Sequence, residues 1–393
     1  VIKQYIENQK NVEVSFMQLS ETVKLYMTGE QKSLIVATMS EYINTVNSLV
    51  SDAANGISIS KYTTADVKAN LPSALTNQCI RDAKSIVKKY NKACRDADRK
   101  NDKLAKQGKN ITVTATLPVL KKTCCYVNNQ NFKINGDYIE FPVMVNGKSK
   151  RLSVKTKMSD RQKSVFANSK LGTMRIVYKG NKIVAQVVYE TIEPTYTTEG
   201  NVMGVDLGVK CPAVSYISDG SVKFYGNGRK NKYMRRHYRC LRKKLQKAKH
   251  IDAVKRINDK EQRIMKDIDH KLSHDVVETA VAHNVKTIKL ERLANIRSTT
   301  RTSRKNNHSL HNWSFYRLAQ FIEYKAKMAG IAVEHVNPAY TSQTCPVCGH
   351  VHHANDRNYT CKCGFHIHRD ILGAMNICNS TEYVGDSNIR HTA

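Results

Sequence analysis

Residues 202–207 read Val-Met-Gly-Val-Asp-Leu, an apolar run of strand length with one carboxylate inside it. A charge buried without a partner is costly, so an aspartate inside such a strand points to a functional role more than to a structural one. The rest of the chain follows this strand in the order β-β-β-α-β-α-β-α. CPAVSYI (211–217) and SVKFYG (221–226) read as two further strands joined at Asp219-Gly220. Residues 229–271 form one long basic helical stretch, and a helix over 272–284 follows. VKTIKLE (285–291) is the fourth strand, ending on Glu291. Residues 297–310 read as a polar, basic loop. The stretch 312–329 is an amphipathic helix with Trp313, Tyr316 and Phe321 among its larger residues, IAVEHV (331–336) is the next strand, and a last helix starts near Asp370.

This order is the layout of an RNase H-like fold, in which Asp206, Glu291 and Asp370 converge at one edge of a mixed sheet. Three carboxylates suit magnesium, a hard cation that prefers oxygen ligands. Two such ions roughly 4 Å apart can activate a water and stabilise the leaving oxygen of a phosphodiester displacement. Manganese is an acceptable substitute. Asp206 is expected to bridge the ions, with Glu291 and Asp370 each holding one side. Packed carboxylates alone repel and raise one another's pKa, so the cations belong to the electrostatics of the site. Taken singly, Glu291 fits an ordinary surface residue and Asp370 a helix-dipole partner. Their joint placement in one fold order is what singles them out.

Cys345-Pro-Val-Cys348 is followed, after twelve intervening residues, by Cys361-Lys-Cys363. Two close thiol pairs at this distance read as a four-cysteine, structural zinc site that leaves no open position for a substrate water. Gly349 and Gly364 suit the turns after each pair. The second pair is tighter than the usual C-x-x-C. With His350, His352, His353, His366 and His368 nearby, a histidine in place of Cys361 or Cys363 stays open. The remaining seven of the eleven cysteines are scattered, and an odd total without a secretory signal does not read as a disulfide framework.

The 64 Lys and Arg against 33 Asp and Glu leave a net charge of +31, which calls for an anionic partner, nucleic acid first. No run approaches the roughly 18–20 apolar residues of a spanning helix, and no signal peptide opens the sequence. A cytoplasmic protein is expected, with no membrane partner. Residues 229–271 alone hold 17 Lys or Arg against five acidic residues. Arg235, Arg236, Arg239, Arg242, Lys243 and Lys244 are the candidates to hold phosphates there, positioning a backbone without reading bases. The plain alternative is a solvated basic helix. Trp313 and Tyr316 could stack on a base, although core packing fits them as well.

With 393 residues, two or three domains are expected. Before residue 202, a short strand over 23–27 precedes a helix over 29–54 and a second helix from about residue 71 to 106, which Ser73 can cap. Between 111 and 192 the pattern changes to alternating runs: ITVTAT, FKINGDYIEFPV, RLSVKT and MRIVYKGNKIVAQVVYE. Turns at Asn135-Gly136-Asp137 and Lys179-Gly180-Asn181 suggest hairpins of a small β-barrel or sandwich.

On GVDLGVK (204–210), IKLERLANI (288–296), NWSFYRLAQFIEYKAKMAGI (312–331), PAYTSQTCPVCGH (338–350) and CKCGFHIHRDILGAMNI (361–377), the chain resembles the transposon-encoded TnpB proteins. The miniature type V CRISPR effectors related to them share the likeness, and HKLSHDVVE (270–278) and LPSALTNQCIRDA (71–83) extend it. The resemblance implies a multidomain α+β protein, an RNase H-like RuvC nuclease domain with a zinc-ribbon insertion, preceded by a β-barrel wedge domain with an inserted helical recognition domain. The expected boundaries are 1–28 for an N-terminal segment and first wedge strand, 29–106 for the recognition domain and 107–200 for the wedge. The nuclease domain then takes 201–340, the zinc ribbon 341–365, and the final helix and tail 366–393. The implied activity is RNA-guided, metal-dependent cleavage of double-stranded DNA beside a short recognised motif. The implied guide RNA is encoded near the protein's own gene, and a monomer is expected. The family's catalytic carboxylates fall on Asp206, Glu291 and Asp370. The sequence departs from the family in its shortened second cysteine pair, and in Leu372-Gly373 where Asn-Ala is frequent, read here as a variant helix surface. The competing readings are a catalytically silent RNA-guided repressor or zinc-dependent DNA binder, a transposase or junction resolvase without RNA, and a compact type V CRISPR effector.

Overall fold

In the computed structural model, which describes residues 15–179, 182–257, 259–293, 314–354 and 356–381, the chain divides into two units, Val1–Ile192 and Glu193–Ala393. The Gly180-Asn181 turn, the 297–310 loop and Trp313 lie outside the described residues.

The first unit is built on β1 (Phe16–Tyr26), longer than the five residues its apolar pattern suggests. After it come α1 (Gly29–Ala54) and α2 (Ser73–Lys106). Then follow β2 (Cys124–Val127), β3 (Lys133–Asn135), β4 (Tyr138–Val145) and β5 (Lys148–Lys157). The unit ends with α3 (Asp160–Asn168), β6 (Lys170–Lys179) and β7 (Lys182–Ile192). The strands form one antiparallel sheet in the order β2-β6-β7-β1-β5-β4-β3. β1 pairs with β7 through residues 16–24 and with β5 only through 24–26, a stagger of the kind that curls a sheet. β2 and β3 remain at the two edges, so the expected barrel is a half-barrel rather than a closed one.

Helix α1 opens with a reciprocal cap between Thr28 and Gln31 and buries Ile35, Met39, Tyr42, Val46 and Val50 on one stripe. Helix α2 buries Leu75, Cys79, Ile80 and Ala83 in its first turns and leaves most of its basic second half in solvent. Pro72 occupies its cap position, so Ser73 is already helical and caps nothing. The ITVTAT run is not a strand. Its backbone partner is a side chain: Asn101 Nδ2 donates to the Val113 carbonyl at 2.9 Å, and the Val113 N–H donates back at 2.7 Å. Asn47 of α1 brackets Leu120 in the same way. An alternating extended segment thus satisfies its backbone on helix-borne asparagines, which no periodicity reveals. Helix α3 is absent from the sequence reading, although Ser159 and Gln162 carry the spacing of the capping box seen at its start.

The second unit opens with β8 (Asn201–Asp206), β9 (Ala213–Ile217) and β10 (Val222–Tyr225). Three helices follow, α4 (Gly228–Lys247), α5 (Ile251–Ile257) and α6 (Lys260–Ala282), and then β11 (Val285–Glu291), α7 (Phe315–Met328) and β12 (Ala332–Val336). The short pair β13 (Asn358–Thr360) and β14 (His366–His368) leads straight into α8 (Arg369–Asn379). The sheet order is β10-β9-β8-β11-β12, antiparallel on the β9 side of β8 and parallel on the β11 side. One face, with Met203, Val205, Ala213 and Tyr225, packs on Leu272 and Val276 of α6 and Leu318 and Ile322 of α7. The other face receives α8, whose backbone passes close over Gly204. From that face Lys289 of β11 reaches the end of α8, donating to the carbonyls of Cys378 (3.1 Å) and Ser380 (2.8 Å). A buried cation there suits the negative end of the helix.

The expected single helix over 229–271 is three helices, and its last part is continuous with the helix expected from 272. The break after α4 is a Schellman turn: the Lys249 N–H donates to Gln246 O and the His250 N–H to Leu245 O, with Lys249 at φ 56°. Glycine usually takes that position, and its absence hid the break. Arg242 then pairs with Glu261 at 2.5 Å, between α4 and α6.

Candidate active site and cysteine cluster

Asp206 and Glu291 end adjacent parallel strands. Val205 is paired with Leu290, so the two carboxylates follow side by side one residue later. Asp370 enters from the first turn of α8, where the His368 ring nitrogen Nδ1 accepts its backbone N–H at 3.2 Å. All three line one cleft of about 720 Å³, together with Lys210, Arg357 and Arg369.

The electrostatics follow from this crowding. Burial, with Glu291 and Asp370 beside it, holds the Asp206 carboxyl well above the usual carboxylate range, while Arg357 and Arg369 pull the other way. Burial also raises Glu291, against a hydrogen bond from the Thr341 hydroxyl. The Arg357 guanidinium donates to Asp370 Oδ1. Arg357 precedes β13, and its carbonyl accepts the Arg369 N–H at 2.7 Å, so the ribbon hands a cation to the third carboxylate. Asn376 of α8 donates to the carbonyls of Thr341 (2.7 Å) and Thr344 (2.8 Å) and ties that loop to the helix. Arg357, Thr341 and Asn376 were not singled out from the sequence, because each acts through contacts that no spacing encodes.

The donor set fits hard divalent cations: carboxylate oxygens, with Asp206 disfavoured as a bare charge. With Arg357 holding Asp370 and Thr341 holding Glu291, the acidic oxygens do not gather as tightly as the thiols do. Among the described residues, the cysteines are the one group of three or more whose ligand atoms all lie within 4.8 Å of one another. Leu372 and Gly373 are not helix surface as expected. Leu372 is buried with Cys345, Tyr359 and Cys361, and a β-carbon on Gly373 would stand 3.2 Å from Asp206 Oδ2. The departure from Asn-Ala therefore lies against the site itself.

Cys345, Cys348, Cys361 and Cys363 converge, with Sγ–Sγ distances of 3.7 Å for Cys345–Cys363 and 3.5 Å for Cys348–Cys361. None is in a disulfide. Gly349 (φ 70°) and Gly364 (φ 90°) close the two knuckles, donating to Cys345 O (2.9 Å) and Cys361 O (3.0 Å). The Cys363 backbone N–H lowers the Cys361 thiol to about 7, while the neighbouring thiols push Cys348 up to about 12, so in the metal-free cluster Cys361 gives up its proton before Cys348. Among the described residues no histidine joins this group. His366 is bonded to Thr360 and His368 caps Asp370. The four thiols are compatible with one structural zinc.

Of the basic residues on α4, Arg236, Arg239, Lys243 and Lys244 are exposed. Arg242 is turned onto Glu261, and Arg235 is half-buried, its pKa lowered by burial and held up by Glu261 and Asp269 of α6. The Arg242–Glu261 pair ties α4 to α6. Tyr316 is exposed. No helix among the described residues is long and apolar enough to cross a membrane.

The second unit thus combines a mixed sheet, two of whose adjacent strands end on carboxylates, with a four-thiol ribbon that leads into the helix carrying a third. The family described as "Cas12f1-like, TNB domain" matches residues 315–377, and the one described as "Probable transposase" matches residues 186–297. The TnpB-like protein MJ0751 of Methanocaldococcus jannaschii is 30% identical over 273 residues, 65% of this chain and 94% of that protein. The CRISPR-associated endodeoxyribonuclease Cas12f1 of Sulfoacidibacillus thermotolerans is 26% identical over 284 residues, 64% of this chain and 65% of that protein. The fold is similar to that in a cryo-EM structure of a Cas12f1-sgRNA-target DNA complex, with a TM-score of 0.63 at 13% identity, covering 93% of this chain and 99% of that one. The chain belongs to the TnpB family.

Proposed function

We propose that this protein is an RNA-guided DNA endonuclease whose RuvC-type domain hydrolyses phosphodiester bonds at Asp206, Glu291 and Asp370. The observation that carries the reading is the meeting of these residues, from β8, β11 and α8, in one cleft beside Lys210, Arg357 and Arg369. Relatives named as endodeoxyribonucleases, and a similar fold bound to guide RNA and target DNA, support it. Asp206, Glu291 and Asp370 would hold two magnesium ions, or manganese, which when bound supply an activated water and charge for the leaving oxygen. The chain's own part is positional. The strand register sets Asp206 beside Glu291, Arg357 and His368 orient Asp370, and Lys210 and Arg369 attract the phosphate backbone.

The cysteine ribbon at 341–365 holds zinc and fixes the approach to α8. The half-barrel serves as the wedge, and the helical pair within 29–106 as the recognition domain. The exposed Arg236, Arg239, Lys243 and Lys244 hold nucleic-acid backbone by charge. The partners are a guide RNA encoded near the protein's gene and double-stranded target DNA, engaged by a monomer.

The test is purification of the chain with its RNA, followed by incubation with a matched plasmid in magnesium. Cutting should require the matching RNA and be lost in Asp206→Ala while RNA binding stays. Cutting that persists in Asp206→Ala, or a protein that carries no specific RNA, overturns the reading.

A further inference from the structure

The α8 side of the second sheet carries an apolar group that the core does not use. Asp206 pairs with Val214, and Val214 with Phe224, across β8, β9 and β10. Directly paired residues of antiparallel strands point to the same face. Phe224 therefore stands on the carboxylate face, two strands from Asp206, with Cα positions roughly 10 Å apart at the usual strand spacing. Between them Val214 is buried, whereas Phe224, on the edge strand, is 47% exposed. Its neighbour on this face, Val222, is 40% exposed. The next residue, Tyr225, turns to the opposite face and is fully buried, so the strand is well anchored while the Phe224 ring is offered to solvent.

The ring is also oriented. It meets His368 edge to face at 5.4 Å and 80°, and His368 is the residue that accepts the Asp370 N–H. An exposed aromatic is thus fixed against the residue that caps the third carboxylate. Lys210 and Arg369 supply cations in the adjoining cleft. Aromatic rings together with a cation-lined groove hold single-stranded nucleic acid, because every base has a face to stack and every nucleotide a phosphate to neutralise.

We propose that Phe224 is a base-stacking platform that seats an unpaired base of the DNA strand entering the carboxylate cleft, and so sets which phosphate lies over Asp206. Phe224 is a positioning residue and takes no part in the chemistry. The proposal rests on the nuclease reading above and adds to it a contact outside the three carboxylates.

Phe224→Ala, assembled with the guide RNA, should lose about 5- to 100-fold in kcat/KM on matched DNA, the range expected for one lost base–aromatic stack. Phe224→Trp and Phe224→Tyr should restore most of it, and the thermal midpoint of Phe224→Ala should stay near that of the parent, since the ring is exposed. A single abasic nucleotide, scanned along the cut strand, should slow the parent at one position near the cut and leave Phe224→Ala indifferent at that position. With Asp206→Asn, which binds without cutting, a 2-aminopurine at that position should be quenched on binding, and the quench should vanish in the Asp206→Asn, Phe224→Ala double variant. A Phe224→Ala protein that cuts as the parent does, or stays as sensitive to the abasic position, overturns the platform and leaves the nuclease reading standing. A parent that cuts no guide-matched DNA overturns both.

Discussion

A β-carbon on Gly204 would stand 2.2 Å from the carbonyl oxygen of Ala374 and 2.3 Å from the backbone nitrogen of Cys378. The glycine two residues before Asp206 thus marks where the last helix crosses the first strand of the second sheet. Because α8 carries Asp370 and β8 carries Asp206, the depth of this contact sets how closely the two carboxylates approach.

Gly204→Ala should therefore act on both stability and activity. The new methyl meets backbone, which cannot rotate away, so a loss of about 2–4 kcal/mol is expected. Thermal or urea unfolding reads it directly. Cutting should fall even at temperatures where the variant stays folded, because α8 must lift from the sheet. An alanine variant with parental stability would mean that α8 does not lie this close.

Asp206 should impose a pH dependence on the cation-free protein. Its carboxyl titrates well above 3.8 in the folded chain, through burial and then the charges of Glu291 and Asp370. Between the unfolded value and this raised folded value the native state binds the extra proton. Stability from this group is therefore full below the unfolded pKa and is lost as pH rises through the folded one. Asp206→Asn should remove that slope and, in chelator, be more stable than the parent at neutral pH while cutting nothing. Urea midpoints followed from acidic to neutral pH test this, and an unchanged slope in Asp206→Asn would assign it to another group.

The parts of this structure that were legible in the sequence are those set by local pattern. The buried strand around Asp206, the strand ending on Glu291, the helix opening at Asp370 and the four-thiol ribbon all follow from periodicity and spacing. What was hidden depends on tertiary partners. ITVTAT alternates like a strand, but Asn101 takes the place of its neighbour. The basic helix ends at Lys247, and the turn after it puts Lys249 in a conformation usually marked by glycine. Leu372-Gly373 looked like surface because a lone helix does not reveal that the ribbon and Asp206 meet there. Arg357 is one of 64 cations in the sequence and becomes distinctive only once the ribbon places it on Asp370.

Zinc removal should be a local event with a consequence at the carboxylates. The ribbon core of Cys345, Tyr359, Cys361 and Leu372 is small, so the proposed thiolate–zinc bonds are expected to supply most of its stability. Cys361→Ser, or a strong chelator, should release one zinc per chain by elemental analysis and open residues 341–365 to protease, while the five-stranded sheet keeps its protection against hydrogen exchange. Cutting should fall because Arg357 and the start of α8 lose their frame. Full protease resistance in a protein shown to hold no zinc would contradict this.

The two kinds of cation on α4 should separate in their salt dependence. Lys243 and Lys244 are exposed, whereas Arg242 is spent on Glu261. If the lysines hold phosphates, Lys243→Ala and Lys244→Ala should each lower the slope of log affinity against log salt by about 0.7–0.9, the release of one counterion per contact, and weaken matched and mismatched nucleic acid alike. Arg242→Ala should instead leave that slope near the parental value and cost about 1 kcal/mol of stability, modest because the pair is partly solvated. Affinities measured across a salt series, alongside unfolding curves, distinguish the two roles. A slope change in Arg242→Ala as large as in the lysine variants would show that its ion pair with Glu261 opens to admit a phosphate.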